Sequence, residues 1–178
     1  NAFETIVAFG PNGSRPHHHP TQRKLKPRDA VLIDFGARYE GYCSDITRSF
    51  AFGAPTPAYR AAYAVVEKAQ AAAIAVARAG VDMAEVDAAA RAVIRDSGLP
   101  VYGHGTGHGI GLEIHENPFL KENAQGKLQI GQILTIEPGV EVRMTKDASF
   151  AVLGVLSAVG TADQPIRFTG TEQQAGWW

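Results

Sequence analysis

Five glycines alternate with other residues across Gly103-His104-Gly105-Thr106-Gly107-His108-Gly109-Ile110-Gly111, and Leu112-Glu113-Ile114-His115-Glu116 follows directly. Glycines, lacking side chains, let the backbone take unusual φ/ψ values and let other groups approach closely. The stretch therefore sets His104, His108 and His115 in a frame suited to holding something at short range. Imidazole offers a neutral nitrogen to a metal and accepts a proton near neutral pH. Three histidines framed in this way, with acidic residues before and after, mark a candidate site.

The rest of the chain reads as an alternation of strands and helices around that stretch. Residues 3–8 alternate and are β-branched enough for a strand, which Gly10-Pro11-Asn12-Gly13-Ser14 breaks into a loop. The loop runs through Pro16-His17-His18-His19-Pro20 to a basic turn at Arg23–Pro27. Val31–Gly36 is a second strand with one acid inside it; Tyr39–Tyr42 reads as a hairpin turn and Ser44–Phe50 as the returning strand. Thr56-Pro57 caps a long alanine-rich helix that is expected to stop at Gly80. Asp82 and Glu85 form a capping-box variant, opening a second helix that ends near Gly98. A polar loop is expected over 117–127, then a strand and turn over Gly131–Gly139. From about residue 140 the texture changes to short strand-like runs that end in Trp177-Trp178.

Composition narrows the function classes. A chain of 178 residues fits one domain with a real core, and a net charge of −1 offers no nucleic-acid footprint or polybasic membrane patch. The lone Cys43 excludes an internal disulfide and a cysteine-built zinc site. The sequence has no apolar run near the roughly 20 residues of a membrane span, so a cytoplasmic setting is expected. The chain begins mid-pattern at Asn1, and is expected to be a piece of something longer.

Chemistry concentrates on a few side chains. Asp34 lies in an otherwise apolar strand, and Asp45 follows eleven residues later on its partner. Buried carboxylates are costly unless paired or bound to a cation, and two close together call for a shared proton or a metal. Capping of the turn, or an ion pair with Arg48, would also account for them. Glu137, inside Leu134-Thr135-Ile136-Glu137-Pro138-Gly139, is a third acid, or an ordinary strand-end glutamate beside a proline turn. With the nitrogen of His108, three carboxylates would suit manganese, cobalt, iron or zinc. A pair of such ions could share carboxylates around a water of lowered pKa. His17, His104 and His115 remain for proton transfer or charge stabilisation if they face that centre, and are otherwise surface or structural histidines.

These segments together resemble the pita-bread metallopeptidases: aminopeptidase P, prolidase and methionine aminopeptidase, with creatinase as a non-peptidase cousin. The resemblance runs in order through Thr5–Val7, Gly10–Gly13, Pro16–His18, Val31–Gly36, Gly41–Arg48, Gly103–Glu116 and Thr135–Gly139. Its details are more similar to the Xaa-Pro peptidases than to the methionine aminopeptidases. It implies an α+β pita-bread fold, incomplete at both ends, over residues 1–140. It further implies ligation of two divalent ions, Mn²⁺ or Co²⁺ before Zn²⁺ or Fe²⁺, by Asp34, Asp45, His108 and Glu137. His17, His104 and His115 would take substrate or proton-transfer roles, and short proline-containing peptides would be the substrates, with room for a homodimer. After Gly139 the likeness ends: the family's second bridging glutamate, within an Arg-Ile-Glu-Asp segment, has no counterpart. Residues 141–178 instead resemble a β-helix coil. The alternative that follows is a remnant of the same fold that binds peptide or a single metal without turnover.

Overall fold

Val31-Leu32-Ile33 and the β-branched residues of 46–51 seed an antiparallel sheet in the first third of the chain, in a computed structural model that describes residues 1–15 and 17–136. Its strands are β1 (Ile6–Phe9), β2 (Ala30–Phe35) and β5 (Ile46–Ala51), with β2 in the middle. The register sets Asp34 opposite Ile6 on one side and Thr47 on the other. Between β2 and β5 the chain makes a small ribbon, β3 (Arg38–Tyr39) and β4 (Tyr42–Cys43). Glu40 and Gly41 join them with φ of 48° and 89°. Two consecutive left-handed residues match the twist of a two-residue hairpin, and glycine supplies the second at no steric cost.

The remainder packs two helices on a second sheet. Helix α1 (Pro57–Val76) opens where Thr56 Oγ1 accepts the Tyr59 amide at 3.1 Å, with proline at the first turn. Helix α2 is Met83–Asp96, and Gly98 beyond it turns the chain at φ 78°. The second sheet has the order β7-β6-β8, with β6 (Gly107–Gly109) central between β7 (Glu116–Leu120) and β8 (Leu134–Ile136). Ala69 and Ala73 of α1 meet Val86, Ala90 and Ile94 of α2, and this face closes on Leu120, Leu128 and Ile136. Each large aliphatic side chain buried there contributes about 1.5–3 kcal/mol. The small alanines let the two helices approach.

Some expectations shift. The first strand starts at Ile6 rather than residue 3, because the chain before it turns aside to give the Ala2 amide to the Gly36 carbonyl at 2.9 Å. Gly10–Ser14, expected as a loop, is a short 3₁₀ helix. Helix α1 ends at Val76, four residues before Gly80, whose amide is drawn to the Leu128 carbonyl at 2.8 Å. Asp82 gives no side-chain cap to α2; it pairs in a β-bridge with Lys127 and faces its ammonium at 3.5 Å. The expected polar loop over 117–127 begins instead as a strand, with Pro118 and Leu120 buried. The continuation of β8 to residue 139 and the proposed β-helix tail over 141–178 lie outside the described residues.

Candidate metal centre

Strand β6 holds its histidine at unusually close quarters. A Cβ at Gly107 would fall on the Thr135 carbonyl of β8, and one at Gly109 on the Asn117 carbonyl of β7. Only glycine lets both neighbours pair so tightly, and His108 between them is buried at 6% exposure. Its Nδ1 lies 2.9 Å from the Gly109 carbonyl. A carbonyl only accepts, so Nδ1 carries a proton, and Nε2 is the nitrogen left to face a metal. Backbone fixing of the tautomer in this way is the usual support for a metal-binding imidazole.

Nε2 points across to the short link that leads into β5 of the first sheet, where Asp45 Oδ2 lies 3.6 Å away. Asp45 stands between β4 and β5, and backbone contacts bring it there: the Cys43 amide donates to the Gly111 carbonyl at 2.7 Å. The buried Cys43 thiol also lies 3.6 Å from the Leu112 carbonyl. His115 completes the group from the loop before β7, its ring centred 4.4 Å from that of His108 and tilted by 60°. One donor atom from each of Asp45, His108 and His115 falls within 4.8 Å of the others. Two donors held at about 2.0–2.1 Å from one ion sit roughly 3–3.5 Å apart, so the 3.6 Å between Asp45 and His108 is slightly wider than one shared divalent cation would hold them. A carboxylate with imidazoles suits a borderline metal.

The other sequence-selected residues are placed as follows. Asp34 is half-buried on β2, its Oδ1 accepting the Thr47 hydroxyl at 3.0 Å; it is not one of the three grouped donors. His104 is exposed four residues before His108, its ring stacked on Tyr102 at 4.9 Å and its Nδ1 2.8 Å from the Gly105 carbonyl. His17 is exposed in a turn with φ of 55°. Glu137 lies outside the described residues.

Sequence reasoning missed the groups that hold this segment in place. Asp87, fully buried, and Arg91, one turn later on α2, form an ion pair at 2.6 Å. Arg91 also donates to the carbonyls of Tyr102 at 2.8 Å and His104 at 2.5 Å, and lies 4.6 Å above the Tyr102 ring. Asp87 Oδ1 accepts both the amide and the hydroxyl of Thr106, at 3.1 and 2.7 Å. With its hydroxyl proton given to Asp87, Thr106 Oγ1 receives the Tyr102 hydroxyl at 2.6 Å. The hydrogen bond to Asp87 raises the Arg91 pKa, and burial raises that of Tyr102. The available signal was position: Asp87 and Arg91 follow directly after Val86 and Ala90 of the buried stripe of α2.

Comparison with known proteins places the chain in a family. The profile described as Metallopeptidase family M24 matches residues 1–162. An Xaa-Pro dipeptidase of Lactobacillus delbrueckii subsp. lactis is 39% identical over 172 residues, which is 96% of this chain and 46% of that one. The uncharacterized peptidase YqhT of Bacillus subtilis is 41% identical over 146 residues, covering 82% of this chain and 41% of its own. Among solved structures, the prolidase from Thermococcus sibiricus superposes with a TM-score of 0.74 at 42% identity, over 79% of this chain and 39% of that chain. The X-Pro aminopeptidase from Thermotoga maritima gives 0.73 at 39% identity, over 76% and 39%. The chain thus spans less than half the length of these relatives.

Proposed function

The chain belongs to metallopeptidase family M24 and has its α+β pita-bread fold, and from that premise we propose that Asp45, His108 and His115 belong to the metal centre of an Xaa-Pro peptidase. The reaction is hydrolysis of the peptide bond before proline in short peptides. The observation that carries this reading is the convergence of Asp45, from the short link leading into β5 of the first sheet, on Nε2 of His108, in the second. The names of the relatives, an Xaa-Pro dipeptidase and a prolidase among them, support the choice of substrate.

In this reading Asp45 and His108 hold divalent ions together with Asp34 and Glu137, and manganese or cobalt are the ions of choice. Bound there, such ions supply a water of lowered pKa and polarise the scissile carbonyl. The protein's own work is orientation and proton handling. The Gly109 carbonyl keeps the His108 proton on Nδ1. His115, exposed at the rim and beside His108, holds a proton for the departing proline nitrogen, a service worth about 10²–10⁴-fold when well placed. His104 and His17 are assigned to substrate contact. The setting proposed is the cytoplasm, which would keep the single thiol of Cys43 reduced.

The test is metal stoichiometry after Mn²⁺ or Co²⁺ loading and desalting, paired with hydrolysis of Xaa-Pro and Xaa-Ala dipeptides. The expected result is bound metal and turnover of the proline substrate alone. Asp45→Asn, which removes a charge at nearly constant volume, is expected to weaken Mn²⁺ binding beyond the roughly 10–100-fold cost of losing a mere supporting group. Unchanged affinity in that variant overturns the ligand assignment. Tight metal binding without hydrolysis of either peptide would replace the peptidase by a metal-binding remnant of the fold.

A further inference from the structure

The ion pair on α2 is bound more closely to the site-bearing segment than to its own helix. Arg91 gives Nε to Asp87 and its two terminal nitrogens to the carbonyls of residues 102 and 104. Asp87 takes the amide and hydroxyl of residue 106. Alternate residues of one short stretch, 102–106, are therefore gripped by a single buried pair, immediately before the strand that carries His108. Burial makes such a pair expensive, and apolar replacements of similar volume are often as stable, so bulk stability is a poor account of it. The planar guanidinium, by contrast, fixes direction: its fork meets two carbonyls at once while its face covers the Tyr102 ring at 4.6 Å. His104 in turn lies flat on that ring, 4.9 Å between centroids with 25° between planes. The path runs from Asp87 to Arg91, then to Tyr102 and the His104 backbone, and ends at the His104 imidazole.

We propose that Asp87 and Arg91 are positioning residues for His104, setting both its backbone and the aromatic surface on which its imidazole rests, so that α2 controls the aim of a group assigned to substrate contact. The inference rests on the peptidase reading for its effect on turnover, but not for the geometry itself.

Arg91→Lys tests it, because lysine keeps the charge and loses the fork. Ring protons of His104, identified by their absence in His104→Gln, are expected to be shifted upfield by Tyr102 in the nuclear magnetic resonance spectrum of the parent chain. In Arg91→Lys that shift is expected to collapse. In the same variant kcat/KM for an Xaa-Pro dipeptide should fall about tenfold while Mn²⁺ affinity stays within about threefold, since a misplaced contact far from the ligands costs rate before it costs metal. If Arg91→Lys does not fold, Thr106→Val, which cuts the hydroxyl link between Tyr102 and Asp87, should move both readouts in the same direction by less. An unshifted His104 signal in the folded variant overturns the proposal, and so does a collapsed signal with undiminished turnover. A parent chain that binds metal but hydrolyses no Xaa-Pro peptide would defeat the peptidase reading, and the spectroscopic comparison would still decide the positioning.

Discussion

At the scale of single residues, the site depends as much on missing side chains as on present ones. His108 is held where it is because the positions on either side carry no Cβ, so that β7 and β8 close on its backbone. Gly107→Ala would drive a methyl group into the Thr135 carbonyl, and since neither strand can yield cheaply the expected loss is about 1–3 kcal/mol or more. At roughly 2–4 °C per kcal/mol for a chain of this size, thermal melting should show a drop of several degrees. Gly13→Ala, with nothing within 4 Å of the added carbon, should melt within a degree or two of the parent and serves as the control. Residues of this kind are legible in sequence because their pattern is conspicuous: glycine at every second position frames His104 and His108. Asp87 and Arg91 are not, because an acid and a base four apart on a helix ordinarily form a solvated surface pair. What hid them was the need to know which face of α2 is buried, and that depends on packing with Leu120 and its neighbours.

At the scale of elements, agreement between sequence and structure follows how local each cause is. The Glu40-Gly41 turn and the Thr56 cap are decided within four residues, and both form where the sequence places them. Helix α1 stops early, and Asp82 leaves its capping role, because partners almost fifty residues away, Leu128 and Lys127, compete for the same groups. Strand β7 was obscured by the proline at its centre, a residue that breaks the usual strand pattern. The segment before β2 offers a test at this scale. Arg23 grips Asp29 with two hydrogen bonds, at 2.7 and 2.8 Å, and the Lys26 amide adds a third, also at 2.8 Å. The Arg23 hydrogen bond, foremost among these, holds the Asp29 carboxyl below its ordinary value. A lowered pKa in the folded state means that the pair's contribution is complete above the ordinary carboxylate value of 3.8 and is lost as pH falls through the depressed one. Asp29→Asn should therefore be less stable than the parent near neutrality, and the difference should vanish as acid titrations by circular dichroism pass below that range.

At the scale of the whole molecule, the described residues form two three-stranded sheets joined by a small ribbon, the second sheet backed by two helices, and the proposed donors are divided between the ribbon's exit and the second sheet's strands and loops. A ligand that engages both is bound only by the assembled fold. Saturating metal should thus raise the melting midpoint, with a gain of about 2.7 kcal/mol when free metal stands at 100 times its Kd. Asp45→Asn should lose most of that increment, while the metal-free forms melt close together. Scanning calorimetry with and without Mn²⁺ measures both, and an equal increment in the two proteins would remove Asp45 from the ligand set.

The amide of Cys43, in the β3–β4 ribbon, meets the carbonyl of Gly111 just beyond β6, and this stitch falls two residues from Asp45 and three from His108. A slip of the ribbon along β6 would change the spacing between the carboxylate and the imidazole. In the proposed reading the site is a caliper laid across its own seam: a cation gripped there would also hold the joint closed, and stripping it away should loosen the joint before it loosens either half.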